Sequence, residues 1–176
     1  MGRELIRRAK IEDIDTVFAL FDACKEDLLQ KEIFQWDDNY PSREYVEAGI
    51  TYGEMYILER NSEIIGAVAI NEWQAPEWEN VNWRHNDGNT LIIHSLCVHP
   101  DEEGNGYGDQ ILRFVEEFAR ENGYIGVRLD AFSENERALH FYERRGYHKV
   151  DEVFFTSKPE GHETYYCFDK FLYNEF

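Results

Sequence analysis

Between Leu96 and Gly108 the chain reads Leu-Cys-Val-His-Pro-Asp-Glu-Glu-Gly-Asn-Gly-Tyr-Gly, and Gly104, Gly106 and Gly108 alternate with larger residues. Glycine lets a backbone turn tightly and bring its N–H groups close to a ligand. A helix starting there adds unpaired N–H groups and the positive end of its dipole, which together suit a phosphate or pyrophosphate. The same spacing also serves as a plain turn needing positive φ, so the loop alone does not decide. A second patterned run holds Asn135, Ala138, Phe141, Tyr142, Gly146 and Tyr147. In that run Asn135 is placed to cap a helix. His94 and Glu72 are the nearby groups able to accept a proton, each with a plainer reading as a satisfied or solvated side chain. The six histidines make no HExxH and the cysteines no CxxC, so no metal site is read.

These residues need elements to hold them. A first strand is read at Glu4–Ala9, then a helix from the spacing of Ile14, Val17, Phe18, Phe21, Cys24 and Leu28. Ser42 is a candidate N-cap for a shorter helix through about Ala48. A hairpin of Met55–Glu59 and Ile64–Asn71 turns at Asn61-Ser62. A polar stretch carrying Trp73, Trp78 and Trp83 follows, read as a lid or pocket wall, with core packing the alternative, and it ends at the turn pair Asp87-Gly88. The strand Thr90–Val98 would place His94, Leu96 and Val98 on one face. A helix through Ile111 to Ala119, a strand through Ile125, Val127 and Leu129, a helix from Asn135 to Gly146, and strands Tyr147–Phe155 and Tyr165–Leu172 complete the order. The order predicts an α/β fold with a mixed sheet.

The 36 acidic and 18 basic side chains leave a formal charge of -18 on 176 residues. Such a surface repels nucleic acid and anionic membranes, and it draws in cations such as amines. With 43% hydrophobic and 15% aromatic residues there is material for a core, and the length fits one domain, since single cores hold up to roughly 250 residues. Cys24, Cys97 and Cys167 are too scattered for a disulfide framework. No apolar run approaches the ~18 residues of a membrane helix, and the charges in Met1–Lys10 replace the apolar core of a signal peptide. A cytoplasmic chain is expected.

The loop and the run beyond it resemble the GCN5-related N-acetyltransferase (GNAT) superfamily. Leu96, Val98 and Pro100 match the family's apolar-x-Val-x-Pro strand end, Gly104, Gly106 and Gly108 its glycine loop, and Asn135 to Tyr147 its Asn-x-x-Ala-x-x-Phe-Tyr-x-x-x-Gly-Tyr run. Glu103 departs, standing where the family usually has Arg or Gln. The resemblance covers nearly the whole chain. It implies one N-acetyltransferase domain over residues 1–176, with the cofactor half at about 90–150. The implied fold is a mixed, mostly antiparallel central sheet flanked by about four helices. The implied activity is direct acetyl transfer in a ternary complex, from acetyl-CoA to a primary amine of a small molecule, protein N-terminus or lysine. The backbone of Glu103, Gly104, Asn105, Gly106, Tyr107 and Gly108 would hold the pyrophosphate. Leu96, Cys97 and Val98 would pair with the pantetheine arm, Asn135 would contact it, and Tyr142 would contact it and protonate the leaving thiolate. Glu72 and His94 are the candidate bases. A homodimer is compatible with the exposed edges of such a sheet.

Two other readings compete. In a dinucleotide-binding oxidoreductase the glycines would serve a nicotinamide cofactor and Asp130 a ribose, but the spacing is GxGxG and the Asn135–Tyr147 run goes unexplained. A non-catalytic acetyl-CoA-binding module would keep the loop and lose turnover.

Overall fold

A computed structural model describes residues 3–85 and 88–173. The first residue of the expected Asp87-Gly88 turn lies outside the described residues. Seven strands are hydrogen-bonded in the order β1-β2-β3-β4-β5-β7-β6. They are β1 (Glu4–Arg8), β2 (Met55–Arg60), β3 (Glu63–Asn71), β4 (Thr90–Val98), β5 (Gly126–Phe132), β6 (His148–Phe154) and β7 (Thr164–Phe171). The helices are α1 (Ile14–Gln30), α2 (Arg43–Thr51), α3 (Tyr107–Glu121) and α4 (Glu136–Arg144). Strands β4 and β5 run parallel, whereas β1–β2, β2–β3, β5–β7 and β6–β7 are antiparallel. This is the mixed sheet that the element order predicts, mostly antiparallel as the resemblance implies, and not the parallel sheet of a dinucleotide oxidoreductase.

The chain forms two compact units, Met1–Glu32, Trp36–Asn71 and Ile93–Val115 in the first, and Ile33–Gln35, Glu72–Ile92 and Glu116–Phe176 in the second. In the first unit α1 buries Val17, Leu20, Phe21 and Cys24, residues three or four apart and therefore on one stripe. The stripe packs with Val46 and Ile50 of α2 and with Met55, Ile57, Ala67 and Ala69 of the hairpin. The helix start is more elaborate than the acids at Glu12 and Asp13 suggest. A 3-10 turn at Ile11–Asp13 precedes it, and the Asp13 carboxylate accepts from the Lys10 amide at 2.7 Å and from Arg7 at 2.8 Å. The expected cap at Ser42 forms, its hydroxyl accepting from the Tyr45 amide at 3.1 Å. Asn61 and Ser62, both at positive φ (52° and 68°), make the hairpin turn.

In the second unit the core gathers Trp78, Val81, Trp83, Ile92, Phe132, Val153, Tyr165 and Cys167. Trp78 sits in a 3-10 turn, Pro76–Asn80, with its ring 4.9 Å from that of Trp83. Two of the three tryptophans read as a lid or pocket wall are thus core residues, and Trp73 alone is exposed. Two carboxylates taken into this unit are paired. Glu116 accepts from the Tyr147 hydroxyl at 2.9 Å and from Lys170 at 3.0 Å, and Asp169 accepts from the Arg84 side chain at 2.6 Å. Pairing of this kind offsets the cost of burying charge.

Candidate active site

The glycine loop lies in the first unit. After β4 the chain makes a 3-10 turn at Pro100–Glu102, where His99 Nδ1 accepts from the Asp101 amide at 3.1 Å. It then enters α3 through Gly104 at φ 83° and Gly106 at φ 82°. An L side chain in that region costs roughly 1–2 kcal/mol, so glycine suits both positions. A Cβ built on either would meet nothing within 4 Å, so the space beside the loop is open. Gly108 lies inside α3, and two of the three glycines make the turn. No described residue hydrogen-bonds a backbone N–H from Gly104 through Gly108. Five successive donors without a described partner thus stand at a helix start with open space beside Gly104 and Gly106, an arrangement that fits the pyrophosphate of an acyl-CoA.

The acids around this loop have partners. Arg60 donates to Glu102 at 2.9 Å and to the Tyr107 hydroxyl at 2.8 Å, which fixes the buried Tyr107 ring and leaves only its backbone for a ligand. Glu103 pairs with Lys31, the residue that follows α1, at 3.6 Å. The carboxylate that departs from the family pattern thus comes with a cation seventy-two residues earlier in the chain.

Strand β4 is continuous from Thr90 to Val98 but carries one irregular residue. Ser95 adopts a left-handed conformation, φ 56°, which strands rarely contain outside bulges. Its hydroxyl lies 2.6 Å from that of Tyr40 and 2.9 Å from that of Tyr45, and burial pushes the Tyr45 phenol's pKa up. The expectation that His94, Leu96 and Val98 share a face assumed unbroken alternation, and Ser95 removes that basis. His94 Nε2 lies 2.8 Å from the Asn71 side-chain oxygen. Cys97 is buried beside Cys24, and burial raises its pKa well above that of a free thiol, so it is an inert thiol and no nucleophile. Leu96 and Val98 are half-buried.

The remaining candidates lie in the second unit. Asn135 caps α4, accepting from the Ala138 amide at 3.1 Å while donating to Gln35 at 2.7 Å. Tyr142 follows on α4, 8% exposed, its ring 5.7 Å from Tyr147 and 6.3 Å from Phe168. No described residue hydrogen-bonds its hydroxyl. Burial, with a contribution from the charge of Asp130, holds the phenol protonated far above neutral pH. Glu72 is exposed and accepts a hydrogen bond from Tyr124. Of the predicted site residues, then, His94, Leu96–Val98 and the loop fall in the first unit, and Glu72, Asn135 and Tyr142 in the second.

The family model of the acetyltransferase (GNAT) family matches residues 15–147. The chain belongs to this family. Among GNAT relatives, streptothricin acetyltransferase A of Bacillus subtilis is 27% identical over 141 residues, 78% of this chain and 73% of that protein. L-amino acid N-acyltransferase MnaT of Escherichia coli is 26% identical over 91 residues, 52% of this chain, and the match spans only 48% of that protein's length. In fold, a GNAT acetyltransferase from Streptococcus agalactiae superposes with a TM-score of 0.81 at 18% identity, covering 97% of this chain and 96% of its own. PaiA N-acetyltransferase from Thermoplasma acidophilum, solved in complex with coenzyme A, gives a TM-score of 0.72 at 17% identity, covering 96% and 99%.

Proposed function

We propose that the chain transfers an acetyl group from acetyl-CoA directly to a primary amine in a ternary complex. The observation that carries this reading is the run of unpartnered N–H groups from Gly104 to Gly108 beside open space at a helix start. The PaiA structure, which contains coenzyme A, supports the choice of donor, and the Bacillus subtilis relative is named a streptothricin acetyltransferase. The backbone from Glu103 to Gly108 would hold the pyrophosphate, Leu96–Val98 and Asn135 the pantetheine arm. The thioester supplies an activated acetyl group. Tyr142, kept neutral by burial, is the proton donor for the leaving sulfur.

The chain's charge of -18 favours a cationic acceptor. The test is separate calorimetric titration with acetyl-CoA, NAD and ATP, followed by free-thiol release across an amine panel. Binding of acetyl-CoA alone, with thiol release that depends on an amine, is the expected result. Binding of NAD in place of acetyl-CoA would overturn the reading, and binding without release would make the chain a non-catalytic module.

A further inference from the structure

A serine at φ 56° inside β4 is disfavoured, and a residue in that state persists only where its surroundings hold it. For Ser95 the surroundings are two tyrosines. A tight turn, in which Asp37 and Tyr40 exchange backbone hydrogen bonds at 3.0 and 3.3 Å, presents Tyr40. Ser42, capping α2 through the Tyr45 amide, fixes the first turn of that helix and with it Tyr45. The two rings meet edge-on with centroids 4.9 Å apart. Ser95 Oγ stands 2.6 Å from the Tyr40 hydroxyl and 2.9 Å from that of Tyr45. A serine hydroxyl has one proton to give, so at least one tyrosine donates to it.

Three residues on, the strand is held again. The Val98 carbonyl accepts from the Cys24 thiol of α1 at 3.3 Å. The Cys97 side chain packs in the core with Val17, Cys24 and Val46, and the His99 amide donates to the Ile65 carbonyl at 2.8 Å. Ser95 and Val98 thus bracket Leu96 and Cys97 between two sets of anchors, all within the first unit. The ladder with β5 covers only Thr90–Ile92, so it does not fix this stretch. A left-handed residue in a strand re-aims the backbone that follows it.

We propose that Tyr40 and Tyr45 are positioning residues, which keep Ser95 left-handed so that the backbone of Leu96–Val98 is aimed at the acyl end of the donor. The proposal rests on the chain being an acetyl-CoA-dependent acetyltransferase. Neither phenol exchanges a proton with the reactants. Both act through the Ser95 hydroxyl on the phase of the strand, and burial keeps the Tyr45 phenol in its protonated, donating form. A misplacement of about 1 Å at a reacting group costs on the order of 100-fold in rate, so the hold on one residue matters to turnover.

The experiment compares wild type with four variants: Tyr40→Phe/Tyr45→Phe, Ser95→Ala, Ser95→Gly, and the two tyrosine changes combined with Ser95→Gly. Alanine loses the hydroxyl and keeps the steric cost of positive φ, whereas glycine loses the hydroxyl and not the conformation. The first readout needs no turnover. Carbonyl-13C cysteine and 15N valine together isolate the Cys97–Val98 amide, because no other valine follows a cysteine. Its resonance should move in Tyr40→Phe/Tyr45→Phe and in Ser95→Ala, and lie near the wild-type position in the two glycine-containing proteins.

The second readout is thiol release with the amine of highest turnover in a panel. In Tyr40→Phe/Tyr45→Phe and in Ser95→Ala, kcat should fall by ~10- to 100-fold. Calorimetric affinity for coenzyme A should stay within threefold, since the Gly104–Gly108 backbone is untouched. Ser95→Gly should recover most of the loss, and adding the tyrosine changes to it should cost nothing further. The fall should be equal from about pH 6 to 9, because no proton carrier is removed. If Tyr40→Phe/Tyr45→Phe and Ser95→Ala stay within threefold of wild type in kcat, the proposal is overturned and the acetyltransferase reading stands. A Ser95→Gly protein as slow as Ser95→Ala also overturns it, since the loss would then belong to the hydroxyl and not to the backbone it holds. A wild type that releases no thiol with any amine overturns both.

Discussion

Tyr142 and Glu103 carry the chemistry most open to a single substitution. Tyr142→Phe keeps the ring contacts with Tyr147 and Phe168 and removes only the hydroxyl. If that phenol protonates the thiolate, kcat should fall by ~100-fold or more while acetyl-CoA affinity in calorimetry stays within twofold. An unchanged kcat would hand the role to water. Glu103→Gln releases Lys31 from its ion pair and removes a negative charge from beside the loop. A unit charge pair at ~8 Å in an effective dielectric of ~40 costs about 1 kcal/mol, so acetyl-CoA should bind roughly fivefold tighter. Weaker binding would show that the Lys31–Glu103 pair sets the shape of the loop. At this scale the sequence was informative where a backbone pattern or a cap was concerned, as at Gly104, Gly106, Ser42 and Asn135. It was silent on the partners of charges, since nothing local joins Lys31 to Glu103 or Arg60 to Glu102. Asp130 drew notice only as a ribose acid, because the Trp78 indole that donates to it is distant in sequence.

Elements announce themselves through period and caps, and so their existence was legible. The limits of β4 agree with the reading at both ends, whereas α2 runs to Thr51, past the expected Ala48. The left-handed Ser95 inside β4 had no signal, because serine is not a residue that marks positive φ. It misdirected the assignment of faces around His94. The parallel pairing of β4 and β5 covers Thr90–Ile92 with Gly126–Arg128, and the first residue of β5 also lies tight against β7. A Cβ on Gly126 would stand 2.9 Å from the Lys170 carbonyl oxygen, a backbone atom that cannot swing aside. Gly126→Ala should therefore destabilise the protein by ~1–3 kcal/mol, through a forced shift of the strand pair. Urea denaturation with an unchanged m-value checks this, and a midpoint equal to wild type would mean the strands move apart at no cost.

For the molecule as a whole, the charge of -18 acts at long range. If it steers a cationic acceptor, kcat/KM for that amine should fall several-fold between 20 and 300 mM salt, as the Debye length contracts from roughly 20 to 6 Å. A neutral amine measured in parallel should show little change, and equal slopes would assign the acids to solubility alone. The fold class followed from the order of elements because the hairpin precedes the β4-α3-β5-α4 stretch and a strand pair closes the chain. The division of contacts into two units did not, since residues 33–35 join a unit otherwise built from Glu72 onward. The three thiols, Cys24, Cys97 and Cys167, are free and buried. A folded sample is therefore silent towards a chromogenic disulfide reagent, and the colour that grows during turnover belongs to released coenzyme A alone. The same reagent, added without substrate, becomes a clock. Its slow reaction counts how often each unit opens far enough to show a sulfur, Cys24 and Cys97 reporting on one and Cys167 on the other.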